Sequence, residues 1–230
     1  MLKPTPAIDG IYEILKEEIL DLLLIPEQIL SENDLCKRFG VSRTPIRSVL
    51  QHLAQDGLVS IEPYKGSFIT KMDFTIIKQQ IYQRKAIEYM VIRDFMKRKD
   101  LVAIEELRFC IRSQEAIVKQ HGIKEEFYEF DSKFHSIMFR EVGVPFLWDQ
   151  IQALECNYSR FRKLDIIEQE NRSDIIEEHD KLLHIIENHQ FDQLEDMITY
   201  HLDGGIRRLG DKMTTKYLTF FTDNSFQDIQ

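Results

Sequence analysis

Cysteine is scarce in this sequence and long apolar runs are missing, and both absences narrow its class. The three cysteines among 230 residues, Cys36, Cys110 and Cys156, are odd in number, widely spaced and free of any Cys-x-x-Cys pair. That argues against a disulfide framework and for a reducing, cytoplasmic setting. The opening residues Met1-Leu2-Lys3-Pro4-Thr5-Pro6 lack the apolar stretch of a secretory signal, and the greasiest run, Ile19 to Ile25, is short and interrupted by Asp21. A membrane-spanning helix needs about 20 apolar residues, so no membrane role is expected. No internal repeat and no low-complexity segment occur. What remains is ordinary for a soluble globular protein, with 43% apolar and 30% charged residues, in a chain long enough for two domains.

Two helix starts follow one another between Ser31 and Gly57, in SENDLCKRFGVSRTPIRSVLQHLAQDG. Ser31 with Asp34 is a capping-box-like opening for a short helix over about Glu32–Phe39. Gly40 supplies the backbone freedom of a sharp turn, and Ser42 is expected to cap a second helix that carries Pro45 in its first turn. Ile46, Val49, Leu50 and Leu53 follow the i, i+3, i+4, i+7 rule and predict the buried face. Arg43, Thr44, Arg47 and Ser48 are left to the exposed side and its N-terminal end. Two helices joined by a glycine turn form a helix-turn-helix, whose second helix can enter the major groove. Arginine there can fork onto guanine or grip phosphate. The plainer alternative is a helical hairpin with a solvated face.

The next stretch bears on that choice. Leu58–Ile61 and Ser67–Thr70 are strand-like, and Glu62-Pro63-Tyr64-Lys65-Gly66 reads as the turn between them. A short hairpin beside a helix-turn-helix is a wing, with Lys65 and Gly66 at its tip. From Ile11 to Thr70, through YEILKEEIL, SENDL, RFGVSRTPIR, LAQDGLV and KGSFIT, the chain resembles the GntR family of bacterial transcription regulators. The resemblance implies DNA contacts at Arg43, Thr44, Arg47, Lys65 and Gly66. It also marks two departures, Asn33 where many members carry arginine and Glu27 where glycine is usual.

Charge is divided in a way that suits such a module. The formal net charge is −9. Between Lys37 and Lys71, however, six basic residues (Lys37, Arg38, Arg43, Arg47, Lys65, Lys71) face only Asp56 and Glu62. The balance there is +4, which leaves −13 for the remainder. A basic recognition surface on an acidic body predicts modest, salt-sensitive non-specific affinity.

Before the helix-turn-helix, Ala7–Leu23 is predicted as a supporting amphipathic helix ended by Pro26. After the wing, six helical segments are predicted: Thr75–Arg98, Leu101–His121, Lys124–Val142, Pro145–Leu164, Glu170–His189 and Phe191–Tyr217. Gly204-Gly205 in the last suggests a kink or a close crossing. The expected fold is mostly α, an N-terminal winged helix-turn-helix plus a C-terminal all-helical antiparallel bundle. The expected boundaries are residues 1–72, a helical effector-binding and dimerisation domain over 73–222, and a disordered tail over 223–230.

Polar residues fall where the bundle core should be. Phe127, Phe130, Phe134 and Met138 mark the inward stripe of the third segment, with Asp131 and His135 on its flank. His179 lies amid Ile175, Leu182, Leu183 and Ile186, and His201 amid Leu194, Met197, Ile198 and Leu202. Burying four such groups without partners is costly. One divalent transition metal would satisfy them together, zinc foremost, with nickel, manganese or iron also suited. Separate hydrogen bonding of each histidine is the alternative. The set resembles the metal-binding members of the FCD domain, the helical effector domain of the FadR subfamily, over about Ile76–Leu209. There an Asp-x-x-x-His pair and two later histidines ligate the ion, which here are Asp131, His135, His179 and His201. Six helices resemble the shorter, VanR-like group.

Arg84 and Glu88 lie on the buried stripe of the first segment, either as an internal ion pair or as part of a site where Arg84 binds a ligand carboxylate. Small organic acids are the effectors the FCD resemblance implies. Tyr82, Asn157 and Arg160 are further candidates. The expected protein is therefore a ligand-responsive regulator, a repressor in the commoner case. It would read a pseudo-palindromic double-stranded operator as a homodimer, binding a divalent metal and a small carboxylate. Two alternatives stay open: a regulator answering to the metal alone, and a metal-dependent enzyme with an accessory DNA-binding domain, disfavoured because no general base stands at a clear spacing.

Overall fold

A computed structural model describes residues 8–98, 100–154, 156–223 and 226. The chain forms two compact units, one drawn from residues up to Thr75 together with those from Asp211 onward, the other spanning Ile76–Gly210. No helix among the described residues is long and apolar enough to cross a membrane.

In the first unit, α1 (Ile8–Leu20) buries Ile11, Leu15 and Ile19, an i, i+4, i+8 stripe. The helix stops short of the predicted Leu23 because Leu22 turns to a left-handed φ of 58°; Ala7 lies outside the described residues. Helix α2 (Glu32–Phe39) starts where predicted, with the Ser31 hydroxyl accepting from the Asp34 N–H at 3.3 Å. Gly40, at φ +67°, closes it by donating to the Cys36 carbonyl. Helix α3 (Arg43–Gln55) buries the four predicted residues Ile46, Val49, Leu50 and Leu53. The capping role given to Ser42 is corrected. Ser42 occupies the cap position, but its side chain makes no cap hydrogen bond. A cap normally accepts from the second or third helical N–H, and Pro45 in the third position has none.

The predicted hairpin is present, β2 (Val59–Glu62) antiparallel to β3 (Gly66–Ile69), each strand one residue nearer the turn than predicted, so that Glu62 and Gly66 pair instead of turning. A further strand, β1 (Ile29–Leu30), pairs with the other edge of β3, giving the order β1-β3-β2. Two residues are too few to carry an alternation, so β1 is invisible to pattern reading.

The second unit holds most of α4 (Phe74–Arg98), then α5 (Leu101–Lys119), α6 (Lys124–Val142), α7 (Pro145–Leu154), α8 (Cys156–Ile167), α9 (Gln169–Glu187), α10 (Phe191–Leu202) and α11 (Gly204–Leu209). Helix α5 packs on α6 and α9, and α9 on α10. Leu107, Phe127, Phe134, Phe139, Phe161 and Leu194 fill the core.

Two of the six predicted helices are divided. Pro145–Leu164 becomes α7 and α8. Phe191–Tyr217 breaks at Asp203, before the Gly204-Gly205 pair, and ends at Gly210, whose φ of +45° takes the chain out of the helix. Residues 211–222 therefore do not extend the helical unit as predicted; they run through two short 3-10 turns and join the first unit. Of the predicted tail 223–230, only Asp223 and Phe226 are described.

Candidate functional site

The exposed N-terminal end of α3 carries Arg43, Thr44 and Arg47, the wing turn carries Lys65, and β3 opens on Gly66, all at the surface; Ser48 is half-buried. Each basic group already has a partner. Arg43 Nη2 donates to Asn33 Oδ1 at 3.0 Å, Arg47 Nε to Glu32 Oε1 at 2.9 Å, and Lys65 Nζ to Glu62 Oε2 at 2.8 Å. The first two residues of α2 thus hold the two arginines of α3. Asn33, noted as a departure, occupies this place as an acceptor.

In the helical unit, α6, α9 and α10 bring His135, His179 and His201 together, with one nitrogen of each within 4.8 Å of the others. All three are buried, as is Asp131. The α6 stripe is rotated from the predicted one: Asp131 and His135 are core residues, not flank residues, while Phe130 is only half-buried.

Every histidine is fixed through Nδ1. His135 Nδ1 bonds Glu88 Oε2 at 2.8 Å, His179 Nδ1 bonds Gln114 Oε1 at 2.9 Å, and His201 Nδ1 bonds Glu178 Oε2 at 3.0 Å. An ionised carboxylate only accepts, so His135 and His201 carry their proton on Nδ1 and turn the Nε2 lone pair inward. Those Nε2 atoms stand 3.2 Å apart. His179 Nε2 lies 3.4 Å from Asp131 Oδ1 and has no hydrogen-bond partner among the described residues. Burial pushes the His201 imidazole down to about 4, and burial with the neighbouring imidazoles pushes His179 well below its usual range. His201 and His179 therefore resist taking up a proton inside the cluster. Rings are clamped from the side, His179 by Phe134 at 4.2 Å and His135 by Trp148 at 5.8 Å.

Around this cluster lies a charged frame. Burial pushes the Glu88 carboxyl upward, but Arg84 and His135 outweigh it and hold the group ionised. Glu178 is likewise lowered by His201 and Arg208 against its burial. Arg208 bridges Glu178 Oε1 at 2.6 Å and Asp165 Oδ2 at 2.7 Å, and Arg162 bonds the free side of Asp131. A cavity of about 30 Å³ is lined by Arg84, Asp131, Tyr158, Arg162, His201 and Arg208, among others.

Of the residues predicted to meet an effector, only Arg84 lines this cavity. Glu88 is tied to Arg84 at 2.5 Å and to His135, so the predicted internal ion pair is present and has a second partner. Tyr82 is 77% exposed and lies away from the cluster. Arg160 is buried but donates to the Cys156 carbonyl and Asn157 Oδ1, which occupies both of those residues elsewhere. The cavity's other basic groups, Arg162 and Arg208, were not anticipated, nor were Gln114 and Glu178. Helix α8 buries Tyr158 to Phe161 and Leu164 to Ile166, with Ser159, Arg160 and Asp165 among them, and a helix whose buried residues mix polar with apolar on most sides has no face to read.

Residues 7–69 match the family described as bacterial regulatory proteins, gntR family, and residues 80–204 match the FCD domain. The chain is a GntR-family regulator with an FCD domain. A regulator of this family in an unstable DNA locus of Streptomyces ambofaciens is 33% identical over 74% of this chain and 70% of its own length. The HTH-type transcriptional repressor RspR of Escherichia coli K12 is 27% identical over 87% of this chain and 88% of its own. Among solved structures, a GntR regulator from Rhodococcus sp. RHA1 aligns with a TM-score of 0.70 over 88% of this chain and 97% of that one, at 19% identity. The Escherichia coli McbR/YncC structure aligns at 0.69 over 92% and 99%, at 16% identity. This GntR regulator is thus a DNA-binding transcription factor rather than an enzyme, and its FCD unit holds the histidine cluster.

Proposed function

We propose that this regulator acts in the cytoplasm as a homodimeric repressor whose FCD unit binds one divalent transition metal and, beside it, a small carboxylate effector. The observation that carries the metal is the pair of inward Nε2 lone pairs of His135 and His201 with the partnerless Nε2 of His179 beside them. Two ligand nitrogens on a tetrahedral zinc, each at about 2.05 Å, lie roughly 3.3 Å apart. The 3.2 Å and 3.4 Å separations at His135–His201 and His179–Asp131 suit that spacing. His135, His179, His201 and Asp131 would hold the ion, with zinc the first choice. Glu88, Gln114 and Glu178 set tautomers and ring orientation, the part outer partners play at metal sites. The ion would supply a Lewis-acidic anchor for a carboxylate.

Arg84, Arg162 and Arg208 give the cavity the positive lining a carboxylate needs, and guanidinium binds carboxylates in a fork. A cavity of about 30 Å³ accommodates water rather than an organic acid, so effector binding requires the site to open. The Arg162–Asp131 pair is the contact an incoming carboxylate would exchange. Such opening gives a ligand unequal affinity for two states, the requirement for it to alter operator binding. The same small volume favours a second reading, in which the metal alone is the signal. DNA contacts are assigned to Arg43, Thr44, Arg47, Ser48, Lys65 and Gly66, and two copies would read two halves of a pseudo-palindromic operator.

Native mass spectrometry of gently purified protein, with elemental analysis, tests this. Two chains each carrying one transition metal and a small acid support the first reading, and metal without acid supports the second. A chain that stays metal-free after reconstitution sinks both.

A further inference from the structure

The matched regions end at residues 69 and 204, so neither accounts for the segment that follows Gly210. That segment returns to the winged unit. Both backbone groups of Met72 are used by it: the Met72 N–H donates to the Phe220 carbonyl at 2.8 Å, and the Thr222 N–H donates to the Met72 carbonyl at 3.0 Å, a parallel bridge between Met72 and Phe221. Met72 is fully buried, and Phe74 and Phe221 are each 1% exposed. The Phe221 ring meets Phe74 edge-on at 6.2 Å, and Phe226 lies 5.3 Å from both. Met213 and Tyr217 are buried upstream. An exposed contact between Lys71 and Asp223 adds little; aromatic burial and the paired backbone hold the segment down.

We propose that residues 211–223, with Phe226, are a strap of the DNA-binding unit, which fixes the connector leaving the wing and so sets operator affinity from outside the helix-turn-helix. The physical case rests on Met72. Removing the strap would leave its N–H and carbonyl buried without partners, or force the connector open to water. A loosened connector frees the last wing residues, Ile69 and Thr70, which hold β3 to the Gln28 and Leu58 carbonyls. The wing that would lie beside DNA then loses its fixed base. This needs neither a metal nor an effector.

Hydrogen exchange on the full chain, with binding to a duplex enriched from a random library by the wild-type protein, tests the strap. Phe221→Ala should speed exchange of the Met72 and Thr222 amides together by at least about tenfold, leaving α6 and α9 unchanged. It should also weaken binding to that duplex by about tenfold, while Phe221→Leu stays near wild type in both. Should Phe221→Ala not fold, Thr222→Pro removes one donor and leaves the aromatic cluster; it should speed exchange of the Met72 amide and weaken duplex binding by the same factors. Wild-type Met72 exchanging at the rate of an unstructured chain would overturn the proposal. So would a variant that frees the Met72 amide yet binds the duplex as tightly as before.

Discussion

His135 and His201 face each other through Nε2 at 3.2 Å while their Nδ1 atoms are held by Glu88 and Glu178. Two carboxylates behind two imidazoles dictate the tautomers, and burial keeps His201 neutral. The pair is therefore a ready acceptor for a cation and a poorly matched contact without one. Loading with zinc at a thousand times its dissociation constant should stabilise the protein by about 4 kcal/mol. A chelator should reverse that gain in a thermal melt. His201→Ala should melt at one temperature with or without the chelator. A wild-type melt indifferent to both zinc and chelator would return the cluster to a packed core.

Glu178 stands behind His201 and is held in turn by Arg207 and Arg208, each at 2.6 Å. Glu178→Gln keeps the shape but lets an amide nitrogen face Nδ1, which removes the demand for one tautomer. Zinc affinity should fall roughly 10- to 100-fold, the range for outer partners of metal ligands. Competition with a chromophoric chelator measures it. Unaltered affinity would mean that Glu178 serves packing alone.

The recognition helix, the wing and the histidine set were legible because each is a local or periodic signal. Ile46, Val49, Leu50 and Leu53 lie on one helix face, and His179 and His201 sit inside apolar stripes. The arginines of the cavity were not legible. Arg208 meets Asp165 across 43 residues, and Arg162 meets Asp131 from a helix whose burial has no preferred face. Arg160 lies on a neighbouring side of the same helix. Long-range pairing of charges is set by how helices cross, and no spacing within one helix records it. The strap is illegible in the sequence for a related reason. Residues 211–217 keep a helical pattern, yet Gly210 breaks the helix and Phe221 finds its partner at Met72.

The Gly204-Gly205 pair is a close crossing. A Cβ on Gly205 would stand 2.9 Å from the Phe161 ring and 3.5 Å from the Asp165 carboxylate. The ring is fully buried and cannot swing aside. Gly205→Ala should cost about 1–3 kcal/mol, the usual penalty of overpacking a filled core. Denaturant unfolding would report it. A neutral result would mean that α8 and α11 can separate without loss.

Arg47 reaches from α3 to Glu32 on α2, with Nε donating to both carboxylate oxygens at 2.9 and 3.1 Å. The contact is exposed, so it contributes little to stability. Its use is in direction, since a guanidinium anchored through Nε turns its two terminal nitrogens away from the anchor. Those are the atoms that fork onto guanine or phosphate. Arg47→Ala should weaken binding to a selected operator roughly tenfold to a hundredfold, with less effect on random duplex at the same salt. Glu32→Gln should leave the arginine in place but less oriented, relaxing sequence discrimination more than total affinity. Competition between operator and random duplex at fixed salt separates the two effects. Equal loss on both duplexes for Arg47→Ala would make this arginine a phosphate contact, and sequence reading would then rest on Arg43 and Thr44.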